Sequence, residues 1–423
     1  MDSNNDSKIK PKKNIIKVKK LNTISLNQLL TLNDEIDTET NHSNTNIQPI
    51  IQPIIQSTTE PTTQQFKCNF CINTFDTNIN LEAHIKQSHK KHTFIEVCAG
   101  AGGLSLGLIK AGFVPILLND NNKDCCKTLE HNHKDLIDNN GLKVVCDSLT
   151  KLDLKPYLGG IDLLTGGVPC QSWSHSGSRK GLDDPRGNLM LKFADLIEVV
   201  KPRIFMIENV KGLLSHDEGK SLEKIIKTLN KNNLYNIVYK VLNAMNYGVP
   251  QKRERVFIIG TLKSENITYE YPAPDKRIIS VGEALRGVPS SEGAVYSDKK
   301  KEYFAQIPQG GCWVNLPVDK QKEYLMSSFE SGGGKRGILH RLSNAKPSLT
   351  LLCTPSQKQT ERCHPTELRP LQVREYARIQ SFDDTHQFIG SLSSKYKQIG
   401  NAVPVELARR VGISLIKALY KPS

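Results

Sequence analysis

FIEVCAGAGGLSLGLIKAGFVPILLND, Phe94 to Asp120, decides how this chain is built. FIEVC is an apolar run of strand length. AGAGG is a glycine turn, LSLGLIKAG brings apolar residues back at helical spacing, and VPILLND reads as a second strand. Strand, turn, helix and strand make one parallel βαβ unit. Outward from it the rhythm continues. LKVVCD and IDLLTGG read as a third and fourth strand, NLMLKFADLIEVV as a helix, KPRIFMIENV as a fifth strand and VFIIGTL as another. This alternation predicts a doubly wound, Rossmann-like α/β sheet over residues 92–262, with ligands beyond the carboxyl ends of its strands.

From about Lys263 the periodicity breaks into SSEG, PQGG and ESGGGKRG. Residues 263–366 therefore read as a smaller, irregular inserted domain. Order returns in LRPLQVREYARIQSF and in the amphipathic VPVELARRVGISLIKALY, which assigns 367–423 back to the first domain.

The chain has 423 residues and a formal net charge of +14. That length allows two or three domains, and the charge points to a polyanionic partner such as nucleic acid. No apolar run reaches the roughly 18–20 residues of a membrane span, and the N-terminus lacks a signal-peptide core. The ten cysteines then suit a reducing, intracellular compartment, as thiols or metal ligands.

Residues 1–65 contain no Phe, Trp or Tyr and carry the repeat IQPIIQPI. Such a segment cannot bury enough apolar surface to order itself and reads as a disordered tail. Its KIKPKKNIIKVKK stretch is either a solvated tail or a basic arm for DNA or nuclear import. Residues 66–91 differ. Cys68, Cys71, His84 and His89 are separated by two, twelve and four residues, which is tetrahedral zinc spacing, and Phe75 and Leu81 fall where a small ββα unit needs its core. The segment resembles a Cys2His2 zinc finger with a structural Zn2+. By that resemblance Thr77, Ile79, Asn80 and Ala83 would face bases.

At the first strand end, the turn from Cys98 to Gly103 would let a ligand approach the backbone. Asp120 ends the second strand and Asp147 the third. Each acid is either a helix cap or a partner for the ribose hydroxyls and adenine amino group of a nucleoside. Two acids without a basic phosphate clamp suit S-adenosylmethionine. At the fourth strand end stands VPCQSWSHSG, Val168 to Gly177. A cysteine there can be a core residue, a zinc ligand, half of a disulfide or a nucleophile. Glu208 ends the fifth strand, and Arg253 and Arg255 follow in VPQKRERVFIIG.

Taken in order, FIEVCAGAGGLSLGL, GGVPCQSWSHSG, ENV, QKRER, RPLQVREYARIQSF and YKQIGNAVP resemble the cytosine-5 DNA methyltransferase family from Phe94 to about Tyr420. The resemblance implies an S-adenosylmethionine-dependent methyltransferase sheet with the inserted domain as target-recognition domain. It makes Cys170 the nucleophile at carbon 6 of cytosine. Glu208 would bond ring N3 and the exocyclic amino group, Arg255 the cytosine carbonyl and Arg253 the neighbouring backbone. The cofactor would contact Phe94, Cys98, Ala99, Gly100, Gly102, Gly103, Leu104, Asp120, Asn121, Asp147, Ser148, Pro169, Asn401 and Val403. The target base must flip out of the duplex. The loop from Gln171 to Asp184 would close over it, with Ser174 and Ser176 near phosphates and Gln251 as a further DNA contact. Cys98, Asn121 and Trp173 depart from the family's usual aromatic or apolar residues at the cofactor and loop.

The implied partner is double-stranded DNA, bound by a monomer in the cytoplasm, nucleus or viral factory according to source. In a restriction-modification setting a cognate restriction endonuclease would accompany it. An adenine methyltransferase would want Asp/Asn-Pro-Pro-aromatic where Val-Pro-Cys-Gln stands. The tRNA-methylating branch of the family is disfavoured by the long inserted domain and the finger.

Overall fold

The computed structural model describes residues 66–67, 74–77, 80, 91–169, 187–330, 337–358 and 361–420. The N-terminal tail, the four finger ligands Cys68, Cys71, His84 and His89, and the segment holding Cys170, Gln171, Ser174 and Ser176 lie outside these residues. Of the finger segment, β1 (Phe66–Lys67) pairs antiparallel with β2 (Thr74–Phe75), Phe66 opposite Phe75. Just beyond, the Thr77 hydroxyl accepts the Asn80 N–H at 3.2 Å, the bond of a helix N-cap.

Strands β3 (Thr93–Val97), β4 (Val114–Asp120), β5 (Lys143–Cys146), β6 (Leu163–Gly166), β7 (Ile204–Val210), β8 (Tyr235–Asn243) and β10 (Glu254–Leu262) form one seven-stranded sheet in the order β5-β4-β3-β6-β7-β10-β8. From β5 to β7 the neighbours are parallel. β10 runs antiparallel to both β7 and β8. The sheet is therefore mixed, a feature that a count of apolar runs does not reveal. β8, YNIVYKVLN, is an edge strand that buries only Tyr235 and Leu242. Its polar positions hide it from a search for buried runs.

Period-two alternation sorts the core between two faces. Phe94, Ile204, Met206, Phe257 and Ile259 point to one cluster, with helices α1 (Gly103–Ala111) and α7 (Val405–Tyr420). Ile95, Val97, Phe205, Ile207, Val256 and Ile258 point to the other, with α3 (Gly187–Val200) and α4 (Lys220–Leu229). Helix α2 (Lys123–Asn132) follows β4 and is capped by the Asn122 side chain.

α1 and α7 touch almost backbone to backbone. A Cβ on Gly107 would come within 2.4 Å of Ala408 Cβ and 2.5 Å of the Val405 carbonyl. A Cβ on Gly103 would lie 2.3 Å from the Val403 carbonyl. These glycines let the C-terminal segment lie against the first glycine turn, although the two are far apart in sequence. Helix α5 (Val373–Ile379) starts only after Pro370, and α6 (Leu392–Asn401) covers most of YKQIGNAVP.

Between β10 and α5 the chain makes short helices and two-residue strands. β11 (His340–Arg341) pairs with β13 (Arg362–Cys363), and β12 (Ser348–Leu349) pairs with β9 (Gln251–Lys252). A separate core of Tyr296, Phe304, Trp313, Leu325, Leu339 and Cys363 holds this region together. Among the described residues, no helix is long and apolar enough to cross a membrane.

Candidate active site

A cleft of about 1010 Å³ opens along the carboxyl ends of the parallel strands. β10 is reversed, so its amino end reaches the same edge, with Arg255 opposite Val210 and Phe257 opposite Glu208. This reversal brings together side chains from two strands that the chain visits at different times. Arg255 Nε lies 2.9 Å from Glu208 Oε1, both side chains being nearly buried. The next residue, Asn209, donates its side-chain amide to the Val168 carbonyl at 3.1 Å and so fastens the strand end to the Val168-Pro169 segment. Pro169 lines the cleft.

At the other end, Asp120 Oδ2 accepts the Gly100 N–H at 2.8 Å and Oδ1 accepts the Asn122 N–H at 2.8 Å. Gly100 takes a φ of 57°, which costs a glycine little. A carboxylate has about four acceptor positions, so Asp120 keeps lone pairs for further donors. Beneath it, buried Asn119 donates to the Val145 and Asp147 carbonyls at 2.9 Å, and its own main-chain carbonyl accepts the Ala99 N–H at 2.9 Å. Asn119 thus joins three strand ends. Its only signal in the sequence is an amide closing an otherwise apolar strand.

Cys98, Ala99, Gly100, Leu104, Asp120, Asn121, Ser148, Pro169, Glu208, Arg253, Arg255, Asn401 and Val403 all line the cleft. Other expected site residues stand elsewhere. Phe94 is fully buried at the start of β3 and packs edge-on against Phe113; it sits too far from the strand's carboxyl end to meet a ligand. Gly102 and Gly103 serve the helix start and the close approach of Val403 rather than the cleft wall. Asp147 is exposed, and its carboxylate accepts the Ser148 N–H at 2.7 Å and pairs with Lys151. Those two interactions hold its pKa below the usual range.

Gln251 is not a DNA contact. Its side chain is fully buried, accepts the Leu351 N–H at 2.9 Å and bonds Gln380 at 3.0 Å. Arg253 is almost as withdrawn from solvent, at 2 % exposure. It donates to the carbonyls of Leu351, Gly400 and Ala402 at 3.1, 3.0 and 3.0 Å. Burial, with the charge of Arg255 second, pulls its pKa down to about 9, which still leaves it charged at neutral pH. Arg253 therefore grips protein carbonyls, not a nucleic-acid backbone.

The sequence also passed over Glu96. It is 1 % exposed near the carboxyl end of β3, lines the cleft and has one oxygen without a partner. Burial raises its pKa well above the usual carboxyl range, against a hydrogen bond from Ser105. Burial, then Asp120 and Glu96, pushes the Cys98 thiol up to about 12. Cys98 is thus inert as a nucleophile at neutral pH. Among the described residues, no group of His, Cys, Asp and Glu is arranged to hold a metal.

Asp120 keeps acceptor positions open in the cleft, while both arginines are already engaged by protein groups. Solved structures share the fold. A DNA modification methyltransferase from an Escherichia coli prophage superposes with TM-score 0.62 at 22% identity, over 78% of this chain and 100% of that one. The Entamoeba histolytica methyltransferase EhMeth gives 0.56 at 17%, over 78% and 99%. The chain thus has an α/β methyltransferase fold.

In sequence it is 45% identical over 339 residues to the type II methyltransferase M.PspPI of Psychrobacter sp. (strain TA137), covering 78% of this chain and 80% of that protein. It is 45% identical over 350 residues to M.Eco47II of Escherichia coli (79% and 81%) and 41% identical over 362 residues to M.Sau96I of Staphylococcus aureus (84% and 83%). The profile of C-5 cytosine-specific DNA methylases matches residues 92–417, and the chain belongs to that family. Its activity is transfer of a methyl group from S-adenosylmethionine to carbon 5 of cytosine in DNA by way of a cysteine nucleophile.

Proposed function

We propose that Cys170 is that nucleophile and that Glu208 and Arg255 hold the flipped cytosine beside it. The observation that carries this is the Glu208–Arg255 pair at 2.9 Å in a cleft whose wall includes Pro169, the residue before Cys170. Carbon 5 of cytosine is a weak nucleophile. Addition of the Cys170 thiolate to carbon 6 forms a C–S bond and leaves an electron-rich carbon 5. Glu208, oriented by Arg255, bonds N3 and the amino group, so the ring accepts the electron pair more easily. Bound S-adenosylmethionine supplies the electrophilic methyl group. Loss of the carbon-5 proton then expels the thiolate. Asp120 holds the ribose, and Cys98 to Gly100, Ser148, Asn401 and Val403 enclose the cofactor.

Residues 263–366 act as target-recognition domain on double-stranded DNA, and 92–262 with 367–423 as catalytic domain. The type II relatives support a modification enzyme with a cognate restriction endonuclease; the enzyme acts inside the cell, as a monomer. Residues 66–91 form a zinc finger, a reading supported by the β1–β2 hairpin around the Cys68–Cys71 spacing. Cys68, Cys71, His84 and His89 would hold Zn2+, which would supply most of the folding energy of so small a unit.

The test is to incubate the protein and S-adenosylmethionine with unmethylated DNA or with tRNA and to analyse the digested nucleosides by mass spectrometry. 5-Methyldeoxycytidine is expected, and it should be abolished in Cys170→Ala with the fold retained. Methylation confined to tRNA, or surviving in Cys170→Ala, would overturn the reading.

A further inference from the structure

Three carboxyl groups and three cations line the cleft among the described residues: Glu96, Asp120 and Glu208, with Arg253, Arg255 and Lys397. Two of the cations are committed. Arg253 holds three main-chain carbonyls. Arg255 pairs with Glu208 and donates to the Glu254 carbonyl. Lys397 is exposed and has neither an ion pair nor a hydrogen bond to any described residue.

Its position is well defined all the same. Lys397 lies on α6, one helical turn before Asn401, and residues four apart share a helix face. Both line the cleft. The helix is fixed to α2 on either side of Lys397. The Ser394 hydroxyl donates to Asp124 at 2.6 Å, and the Thr128 hydroxyl donates to Gln398 at 2.7 Å. The ammonium is close enough to Cys125 and Cys353 to favour ionisation of both, although burial prevails at each thiol. Cys125 follows Asp120 at the start of α2, and Cys353 donates to Asn401 at 3.0 Å. Lys397 thus lines the same cleft as Asp120, Cys125 and Asn401.

Among the polar groups that S-adenosylmethionine brings to such a cleft are its ribose hydroxyls and its α-carboxylate. Its ribose hydroxyls donate and suit Asp120. Its α-carboxylate is an anion, and with Arg253 and Arg255 spent on protein groups it needs another cation of the cleft. We propose that Lys397 binds the methionyl carboxylate of S-adenosylmethionine. This rests on the reading that the cleft is the cofactor site, and it adds a carboxylate-selecting residue to it.

The experiment is calorimetric titration of the full chain, without DNA, as wild type, Lys397→Met and Lys397→Arg. The ligands are S-adenosylmethionine and its decarboxylated analogue, which keeps the adenosine, sulfonium and amine. Lys397→Met should weaken S-adenosylmethionine binding roughly tenfold, the scale of one charge-assisted contact. Lys397→Arg should recover most of that, and the decarboxylated analogue should bind wild type and Lys397→Met within about twofold. Equal losses for both ligands, or no loss for S-adenosylmethionine, would overturn the proposal. So would unchanged cofactor affinity together with, in a parallel titration of the same proteins with duplex DNA, weaker binding and a salt slope reduced by about one, the mark of a phosphate contact. A wild-type chain that binds neither ligand would overturn the cofactor-site reading itself.

Discussion

Arg253→Met removes the guanidinium while keeping most of the apolar stem. Arg253 is almost fully buried, and its three carbonyl partners come from two separated stretches, Leu351 and Gly400–Ala402. Charge-assisted bonds contribute roughly 1.5–3 kcal/mol each. Part of that is offset because the variant no longer desolvates a guanidinium. Leaving three buried carbonyls without their donor then costs about 3–5 kcal/mol net, from roughly 1–3 kcal/mol each before that offset. At roughly 2 °C per kcal/mol for a domain of this size, the melting temperature should fall by about 6–10 °C. Arg253→Lys keeps the charge but not the planar fork, so its melting temperature should lie between those of wild type and Arg253→Met. Urea titration and calorimetry measure stability, and cofactor titration should show weaker binding, because Gly400 and Ala402 flank Asn401 in the cleft wall. A variant that melts within about 2 °C of wild type and loses only turnover would refute the structural assignment and return Arg253 to the substrate.

Asp120→Ala should weaken S-adenosylmethionine binding by roughly 10–100-fold, from lost ribose contacts and a loosened Gly100 turn, with far-UV dichroism unchanged; affinity equal to wild type would count against the nucleoside site. Two buried histidines should make the fold acid-sensitive. Burial lowers His133 to about 4, and burial together with the charge of His133 lowers His386 to about 3. An unfolded histidine titrates near 6.5, so both contribute stability above that pH and lose it as the pH falls toward the folded values, about 2 kcal/mol each by pH 5. Urea midpoints between pH 7.5 and 4.5 should drop steeply in wild type and less in the double variant His133→Gln, His386→Gln; parallel slopes would show that other groups carry the acid response.

Much of the chemistry was legible because it depends on local order along the chain. Glycines at a strand-to-helix turn, acids at strand ends and Pro-Cys after an apolar strand need no knowledge of the fold to be noticed. The period-two and helical patterns likewise marked the parallel strands and the two C-terminal helices, since backbone geometry imposes those periods. Finger spacing and the Cys170 loop are local patterns of the same kind, and both lie outside the described residues.

Tertiary structure decided what each candidate touches. QKRER presents two arginines that look alike in sequence. Reversal of β10 sets Arg255 against Glu208, whereas Arg253 turns into the protein and meets carbonyls 98 to 149 residues further along the chain. Gln251, polar and next to a basic cluster, disappears into the core because β9 pairs with β12. Glu96 and Lys397 lie inside quoted motifs, yet what they face becomes visible only through the cleft that long-range packing builds around them. The sequence by itself determined the kinds of group available and the order in which the strands deliver them. Which of those groups are left free for a ligand depends on contacts between residues far apart in the chain, and only the folded structure specifies these.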